Sequence, residues 1–301
     1  MESFYSHGKL LLTGEYVVLD GAKALAIPTV FGQHLTIEPI QEQNIIWTSF
    51  DNENNIWFTD TITIEAITTS KDTGNAISNR LIQILNAAKQ LNPEFLTKQD
   101  GFKITTTLEF PQDWGLGTSS TLINNLATWA KVDPYTLLER SFGGSGYDIA
   151  CAQEDSALHY SLNNTLPKTE LVDFKPIFSD QLYFVHLNKK QNSREGIAHY
   201  KSNRHNLTET IAAINQLTIA FTTCKSITAF QQLIEQHETL IARVTNQKTV
   251  KEILFSDFNG SIKSLGAWGG DFILVASTTN PTDYFKAKDY HTILKYTDMA
   301  L

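Results

Sequence analysis

Residues 111–122 read PQDWGLGTSSTL. Gly115 and Gly117, with one residue between them, leave the backbone free to take positive φ or to let another group approach closely. Thr118, Ser119 and Ser120 follow at the point where STLINNLATWA (120–130) takes on helical character, so hydroxyls stand where they can cap a first turn. A helix start of this kind offers N–H groups and the positive end of the helix dipole to an anion. A Walker A loop would place four residues between its glycines and then Lys-Ser/Thr, and no lysine follows here. The stretch is therefore either a phosphate-wrapping loop of another type or a turn into a capped helix. In the first case the positive charge must come from elsewhere in the chain.

At 301 residues the chain exceeds the usual size of one core, which favours two domains sharing a cleft. A composition of 42% hydrophobic and 19% charged residues fits a folded chain throughout. A formal charge of -8 and a pI near 5.5 argue against nucleic acid or an anionic membrane as the main partner, because such surfaces need a basic face. An anionic small molecule remains admissible through a local basic pocket. The two cysteines, Cys151 and Cys224, rule out a disulfide framework and a four-thiolate metal site, and fit a reducing cytoplasm. The first residues lack a basic stretch followed by an apolar one, and no apolar run reaches the length of a membrane span. The expectation is a cytoplasmic monomer or homodimer.

Around the opening motif the patterns alternate between strand and helix. KLLLTG, YVVLDG, ALAIP and FGQHLTIEPI, within residues 9–40, read as an antiparallel meander. Ile77, Leu81, Ile84, Leu85 and Ala88 recur at helical spacing over 75–90. FKITTTLEF (102–110) reads as a strand leading into the glycine loop. LPKTELVDFKPIFSD (166–180) reads as a polar connector, after which LYFVHL is a strand and 206–222 and 226–244 are helices. His237 falls on the apolar stripe of the second helix and is explained by that packing. SIKSLGAWGGDFILVAST (261–278) reads as a glycine loop running into a strand. The mixture is α+β in two parts, divided as 1–178 and 179–301.

Two further loops have the glycine content of the first. SFGGSGYDIACA (141–152) places Asp148 after three glycines at a helix start, where it is either a helix cap or a general base for a substrate hydroxyl. LGAWGGD (265–271) is a wide turn or a second close-approach loop.

The combination and order of these loops resemble the GHMP kinases, the superfamily of galactokinase, homoserine kinase, mevalonate kinase and phosphomevalonate kinase. Its first signature, Gly-Lys, an apolar strand and then Gly-Glu, is similar to HGKLLLTGEYVVLDG (7–21), with Ser6-His7 in place of the usual Ala-Pro. Its central Pro-x-x-x-Gly-Leu-Gly-Ser-Ser resembles PQDWGLGTSS, with Thr118 for the first serine. Its third glycine motif resembles SLGAWGGD, with Leu265 and Trp268 where glycine is usual. The resemblance spans the chain and implies a two-domain GHMP kinase fold, with a ribosomal-protein-S5-domain-2-like N-terminal domain and a ferredoxin-like C-terminal domain.

The same resemblance implies ATP and Mg²⁺. Gly115, Leu116, Gly117, Thr118, Ser119 and Ser120 would wrap the ATP phosphates, and Ser120 with Glu139 would hold Mg²⁺. Glu139 lies closer in sequence to Asp148 than the matching glutamate of mevalonate kinases does. Lys9 would supply the missing positive charge beside Asp148, the general base for the acceptor hydroxyl. Gly266, Gly269 and Gly270 of the third loop would border the acceptor. Trp268 is either an aromatic plug at the cleft edge or a ligand contact.

GSGYDIA (144–150) looks more like the corresponding run of phosphomevalonate kinases than that of mevalonate kinases. The basic run HLNKKQNSREG (186–196) carries Lys189, Lys190 and Arg194, either to hold an anionic substrate or as a solvated turn. These features favour phosphomevalonate as acceptor. Mevalonate kinase, a diphosphomevalonate decarboxylase and a non-catalytic ligand sensor are the alternatives on the same fold.

Overall fold

The computed structural model describes residues 1–97 and 101–301, which fall into two compact units that interleave along the chain. One comprises residues 1–8, 31–112 and 117–153; the other comprises 9–30, 113–116 and 154–301. The sequence reading instead cuts the chain once, at 178/179.

The first unit is a mixed sheet with helices over one face. β1 (Glu2–Leu11) pairs with β2 (Ala24–Pro39), and the sheet continues through β3 (Asn44–Phe50), β4 (Ile56–Thr63) and β5 (Phe102–Leu108) in the order β4-β3-β5-β2. β3 runs parallel to β5, and the other two neighbours on this path pair antiparallel. Alternation along β3 turns Ile45, Trp47 and Ser49 inward, with Leu35, Ile37, Ile104 and Thr106 from the neighbouring strands. The inward hydroxyls are paired: Ser49 Oγ accepts from Trp47 Nε1 at 2.9 Å and from Thr106 Oγ1 at 2.8 Å. Onto this core pack α1 (Ile64–Thr69), α2 (Ala76–Leu91), α3 (Thr118–Ala130), α4 (Pro134–Ser141) and α5 (Tyr147–Gln153). Asn75 caps α2 by accepting from the N–H groups of Ile77 and Ser78. The expected stripe of α2 is buried except at Ile77, which lies in the first turn and is exposed.

The second unit holds the antiparallel hairpin of β6 (Leu158–Asn163) and β7 (Leu166–Leu171), with β6 paired to residues 24–26 of β2. LPKTEL is thus a strand rather than a connector. A second sheet follows, of β8 (Leu182–His186), β9 (Ser261–Ser264), β10 (Phe272–Ala276) and β11 (Ile293–Lys295), in the antiparallel order β11-β8-β10-β9. With it are α6 (Ser193–Asn203), α7 (Thr208–Thr223), α8 (Ile227–Thr245), α9 (Val250–Leu254) and α10 (Thr282–Lys286). Among the described residues no helix is long and apolar enough to cross a membrane.

The expected meander at 9–40 is not formed. YVVLDG is a turn whose residues Val17–Asp20 form a 3-10 helix, because Gly14, Tyr16 and Gly21 all take positive φ (83°, 62° and 91°) and break extended pairing. ALAIP and FGQHLTIEPI are one continuous strand, β2. Pro28 lies between the stretch paired to β6 and the stretch paired to β5, and its C=O accepts from Leu301 N–H.

Candidate active site

The central loop turns at two left-handed glycines, Gly115 at φ 68° and Gly117 at φ 95°, with Leu116 fully buried between them as an anchor. Gly117 is the N-cap of α3, and no side chain caps that helix. The expected capping by Thr118, Ser119 and Ser120 is therefore corrected. These residues form the first turn itself, since the left-handed Gly117 starts the helix at Thr118, two residues before the stretch read as helical. Ser120 N–H and Thr121 N–H both donate to Gly117 O at 3.0 Å. Thr118 is half-buried, Ser119 exposed and Ser120 buried. A helix start without a side-chain cap keeps its anion-binding character.

The departure at Ser6 is matched within the first unit. Its hydroxyl donates to Asn125 Oδ1 at 2.7 Å and accepts from Asn124 Nδ2 at 2.9 Å, and Asn125 Nδ2 also donates to Gln33 O. The buried polar side of α3 thus has partners on β1 and β2, which sequence periodicity alone did not indicate.

Lys9 is tied to the loop at both ends. Its backbone N–H donates to Leu116 O at 3.0 Å, and its Nζ donates to Gly115 O at 3.0 Å. The third loop meets the same glycine: a Cβ added to Gly115 would stand 2.4–2.8 Å from the carboxyl atoms of Asp271. The lysine of the first motif and the aspartate of the third therefore converge on the first glycine of the second. Asp271 itself was not singled out in the sequence. Burial pushes its carboxyl above the usual range, against the opposing pull of Lys9, the Gln191 N–H, His186 and Lys190.

Asp148 is the second residue of α5 and half-buried, so its carboxylate stands inside the first turn. Gly143, Gly144 and Gly146 all have positive φ, and Gly146 O accepts from the N–H groups of Ile149 and Ala150. Glu139 is on the exposed side of α4, while the adjacent Leu137 and Leu138 face the core. Among the described residues no group of three or more His, Cys, Asp or Glu side chains could hold a metal ion. A Mg²⁺ that arrives with a nucleotide is held chiefly by phosphates and needs only one or two protein oxygens, for which Ser120 and Glu139 are the expected candidates.

The third loop joins β9 to β10. Gly266 and Gly269 have positive φ, and a Cβ on Gly270 would stand 2.6 Å from Gln191 Cβ. Trp268 is buried beside Tyr16 and Tyr200; its backbone N–H donates to Tyr16 Oη and its Nε1 donates to Lys248 O, both at 2.9 Å. It is a packed plug, and its other side lines a cavity of about 580 Å³ with Lys189, Gln191, Lys248, Gly269 and Tyr290. Lys189, Lys190 and Arg194 are exposed. The basic run is not a detached turn: Asp271 N–H donates to Lys189 O and Leu187 N–H donates to Asp271 O, both at 2.8 Å. Arg194 lies in the first turn of α6, its N–H bonded to the cap Asn192.

A buried ionic cluster in the second unit escaped the sequence reading. Lys263 pairs with Glu15 and, at 3.1 Å, with Glu238; Ser264 Oγ donates to Glu238 Oε2. His237 Nε2 accepts from Gly14 N–H at 3.0 Å, so a residue assigned to stripe packing also holds the first motif. Burial raises the Glu15 carboxyl to about 7 and pushes His237 well below its ordinary value, the Lys263 charge adding to the second shift. Burial likewise raises Glu238. A lysine and two glutamates inside apolar surroundings were the available signal, since such residues are buried only when paired.

No family model and no curated protein matches the chain by sequence. Solved structures do match over nearly its whole length. A Methanococcus jannaschii mevalonate kinase is 16% identical at a TM-score of 0.73, covering 100% of this chain and 98% of that one. A Streptococcus pneumoniae phosphomevalonate kinase in complex with phosphomevalonate and AMPPNP is 15% identical at 0.70, covering 98% and 100%. A Lactococcus lactis galactokinase complexed with galactose is 14% identical at 0.66, covering 95% and 88%. The chain has the α+β fold of the GHMP kinases.

Proposed function

We propose that this chain is an ATP-dependent small-molecule kinase acting on an anionic alcohol or phosphate ester of the mevalonate pathway, with phosphomevalonate favoured. The convergence of Lys9 and Asp271 on Gly115 is the observation that carries the reading. Three motifs distant in sequence meet at one backbone turn, as a phosphate site built from separate segments requires. In the proposed mechanism the amides of the loop and of the first turn of α3 hold the phosphates of ATP, and Lys9 stabilises charge developing on the transferred group. Asp148 takes the proton of the acceptor hydroxyl as its oxygen attacks the γ-phosphorus in line. Mg²⁺ arriving with ATP would neutralise phosphate charge, with Ser120 and Glu139 as its proposed protein oxygens. Lys189, at the cavity beside Gly269, and Lys190 and Arg194 on the adjoining segment are the proposed grip on the acceptor's anion, with Gly266 and Gly270 shaping the loop.

The test is ADP release with phosphomevalonate, mevalonate, homoserine, galactose and shikimate as acceptors. Turnover with phosphomevalonate ahead of the others supports the proposal, and turnover confined to mevalonate moves it to the preceding step. Carbon dioxide release with a diphosphorylated acid would replace it by a decarboxylase. Nucleotide binding without any turnover would favour a ligand sensor.

A further inference from the structure

Gly115 would ordinarily be explained by its φ of 68° or by the approach of a phosphate. The space above its Cα is already filled from within the protein. Asp271 Oδ1 and Oδ2 stand 2.8 and 2.5 Å from where a Cβ would lie, and the carboxyl carbon stands at 2.4 Å. Asp271 is itself held in the left-handed region, at φ 53°, by bonds on both sides of its peptide: its N–H to Lys189 O and its C=O to Leu187 N–H. Its Oδ1 accepts from Gln191 N–H at 3.2 Å. A non-glycine residue fixed in a sparsely populated conformation, with its charge packed on another motif's glycine, is a built feature. Lys9 Nζ is bonded to the carbonyl of that same Gly115, and its charge acts on the Asp271 carboxyl.

We propose that Asp271 is a positioning residue for phosphoryl transfer: seated on Gly115, it fixes the first turn of the phosphate loop and holds the Lys9 ammonium against it. The proposal rests on the kinase reading for its chemistry, but the seat itself is a property of the fold. Two consequences separate it from a residue that only supports packing. Asp271 places a negative charge beside an anion site, so it weakens ground-state binding of nucleotide while keeping Lys9 in register for the transition state. Its carboxyl also explains why residue 115 carries no side chain.

Asp271→Asn keeps the shape and an oxygen for Gln191 N–H while removing the charge. This variant is expected to bind ATP about three- to tenfold more tightly, the size of one partly screened charge at short range, and to turn over about tenfold more slowly. A structural residue would lose affinity and rate together. Unchanged or weaker ATP binding, by titration of folded protein, would overturn the charge role. The steric role is read from thermal unfolding of Gly115→Ala, Asp271→Gly and the double variant. Partial recovery of Gly115→Ala by Asp271→Gly supports the seat, and equal damage in both backgrounds overturns it. The unfolding comparison needs no turnover, so failure of the kinase reading would leave the coupling between 115 and 271 measurable.

Discussion

Lys263 and Glu15 form an ion pair in which neither side chain reaches solvent, although the two residues are 248 positions apart in sequence. Lys263 has a second partner in Glu238, and burial, which works against its ammonium, is outweighed by the two carboxylates, so its pKa is raised. Two carboxylates share one ammonium in a dry site, which favours retention of a proton on the carboxylates. His237 does not supply the missing positive charge, because its Nε2 accepts from Gly14 N–H and burial holds it neutral.

The stability of the protein should therefore depend on pH through Glu15. Its folded pKa, about 7, is above its ordinary value of 4.5, so the folded state holds a proton that the unfolded state releases. The resulting stabilisation is full below the ordinary value and is lost as pH rises to about 7, by an amount on the order of 3 kcal/mol. Glu238 acts in the same direction. His237 acts in the opposite one, since it resists protonation in the fold and costs stability as pH falls below its ordinary value. Thermal unfolding of Glu15→Gln beside the wild type at several pH values isolates the first contribution. The wild type should lose stability relative to the variant between pH 4.5 and about 7. A constant difference across that range would mean that Glu15 is ionised throughout.

Lys263→Met should destabilise by about 3–5 kcal/mol, because it leaves two buried carboxylates without their cation. Denaturant unfolding should show a smaller loss at acid pH, where those carboxylates take up protons. An equal loss at pH 5 and pH 8 would point to lost packing instead of lost charge.

Asp148→Asn should lower turnover by about two to four orders of magnitude, as expected for removal of a general base. The amide keeps the side chain's shape in the first turn of α5. A helix-capping role would make the same change nearly silent, since Asn caps about as well as Asp. Steady-state kinetics on protein with an unchanged melting temperature decides between them.

The elements that carry the proposed chemistry were largely legible in the sequence, and the links between them were not. Periodicity located α2, α3, α7 and α8, because each buries one face on a core and repeats its apolar residues accordingly. Glycine loops marked Gly115, Gly117 and Gly146, all of which have positive φ. Local pattern failed at YVVLDG, where β-rich residues turn because tertiary bonds fix Tyr16, its hydroxyl accepting from Trp268 N–H. It also failed for Asp271 and Glu15, whose partners are distant in sequence, Gln191 being 80 positions from Asp271 and Lys263 being 248 from Glu15, and leave no periodic trace.

Gly117→Val should abolish tight nucleotide binding. At φ 95° a β-branched residue is strained by about 1–3 kcal/mol, and relief of that strain would turn the first amides of α3 away from a bound phosphate. Nucleotide titration, with melting temperature as the control for folding, reads the effect. Wild-type affinity in a folded variant would tell against the phosphate-loop assignment.

The basic run is expected to divide by position. Lys189 lines the cavity with Trp268 and Gly269, whereas the Lys190 charge acts on Asp271 and Arg194 begins α6. If the acceptor's anion enters that cavity, Lys189→Ala should raise the acceptor KM most. A charge-assisted contact is worth about 1.5–3 kcal/mol, or roughly ten- to a hundredfold, and the ATP KM should stay nearly constant. Lys190→Ala removes a cation that opposes the Asp271 carboxylate, so its effect should fall on nucleotide as well as acceptor. Arg194→Ala should raise only the acceptor KM, and by less than Lys189→Ala. Equal and small effects of all three substitutions on every anionic acceptor would return the run to a solvated surface, and the anion-binding role would then have to be sought on other residues.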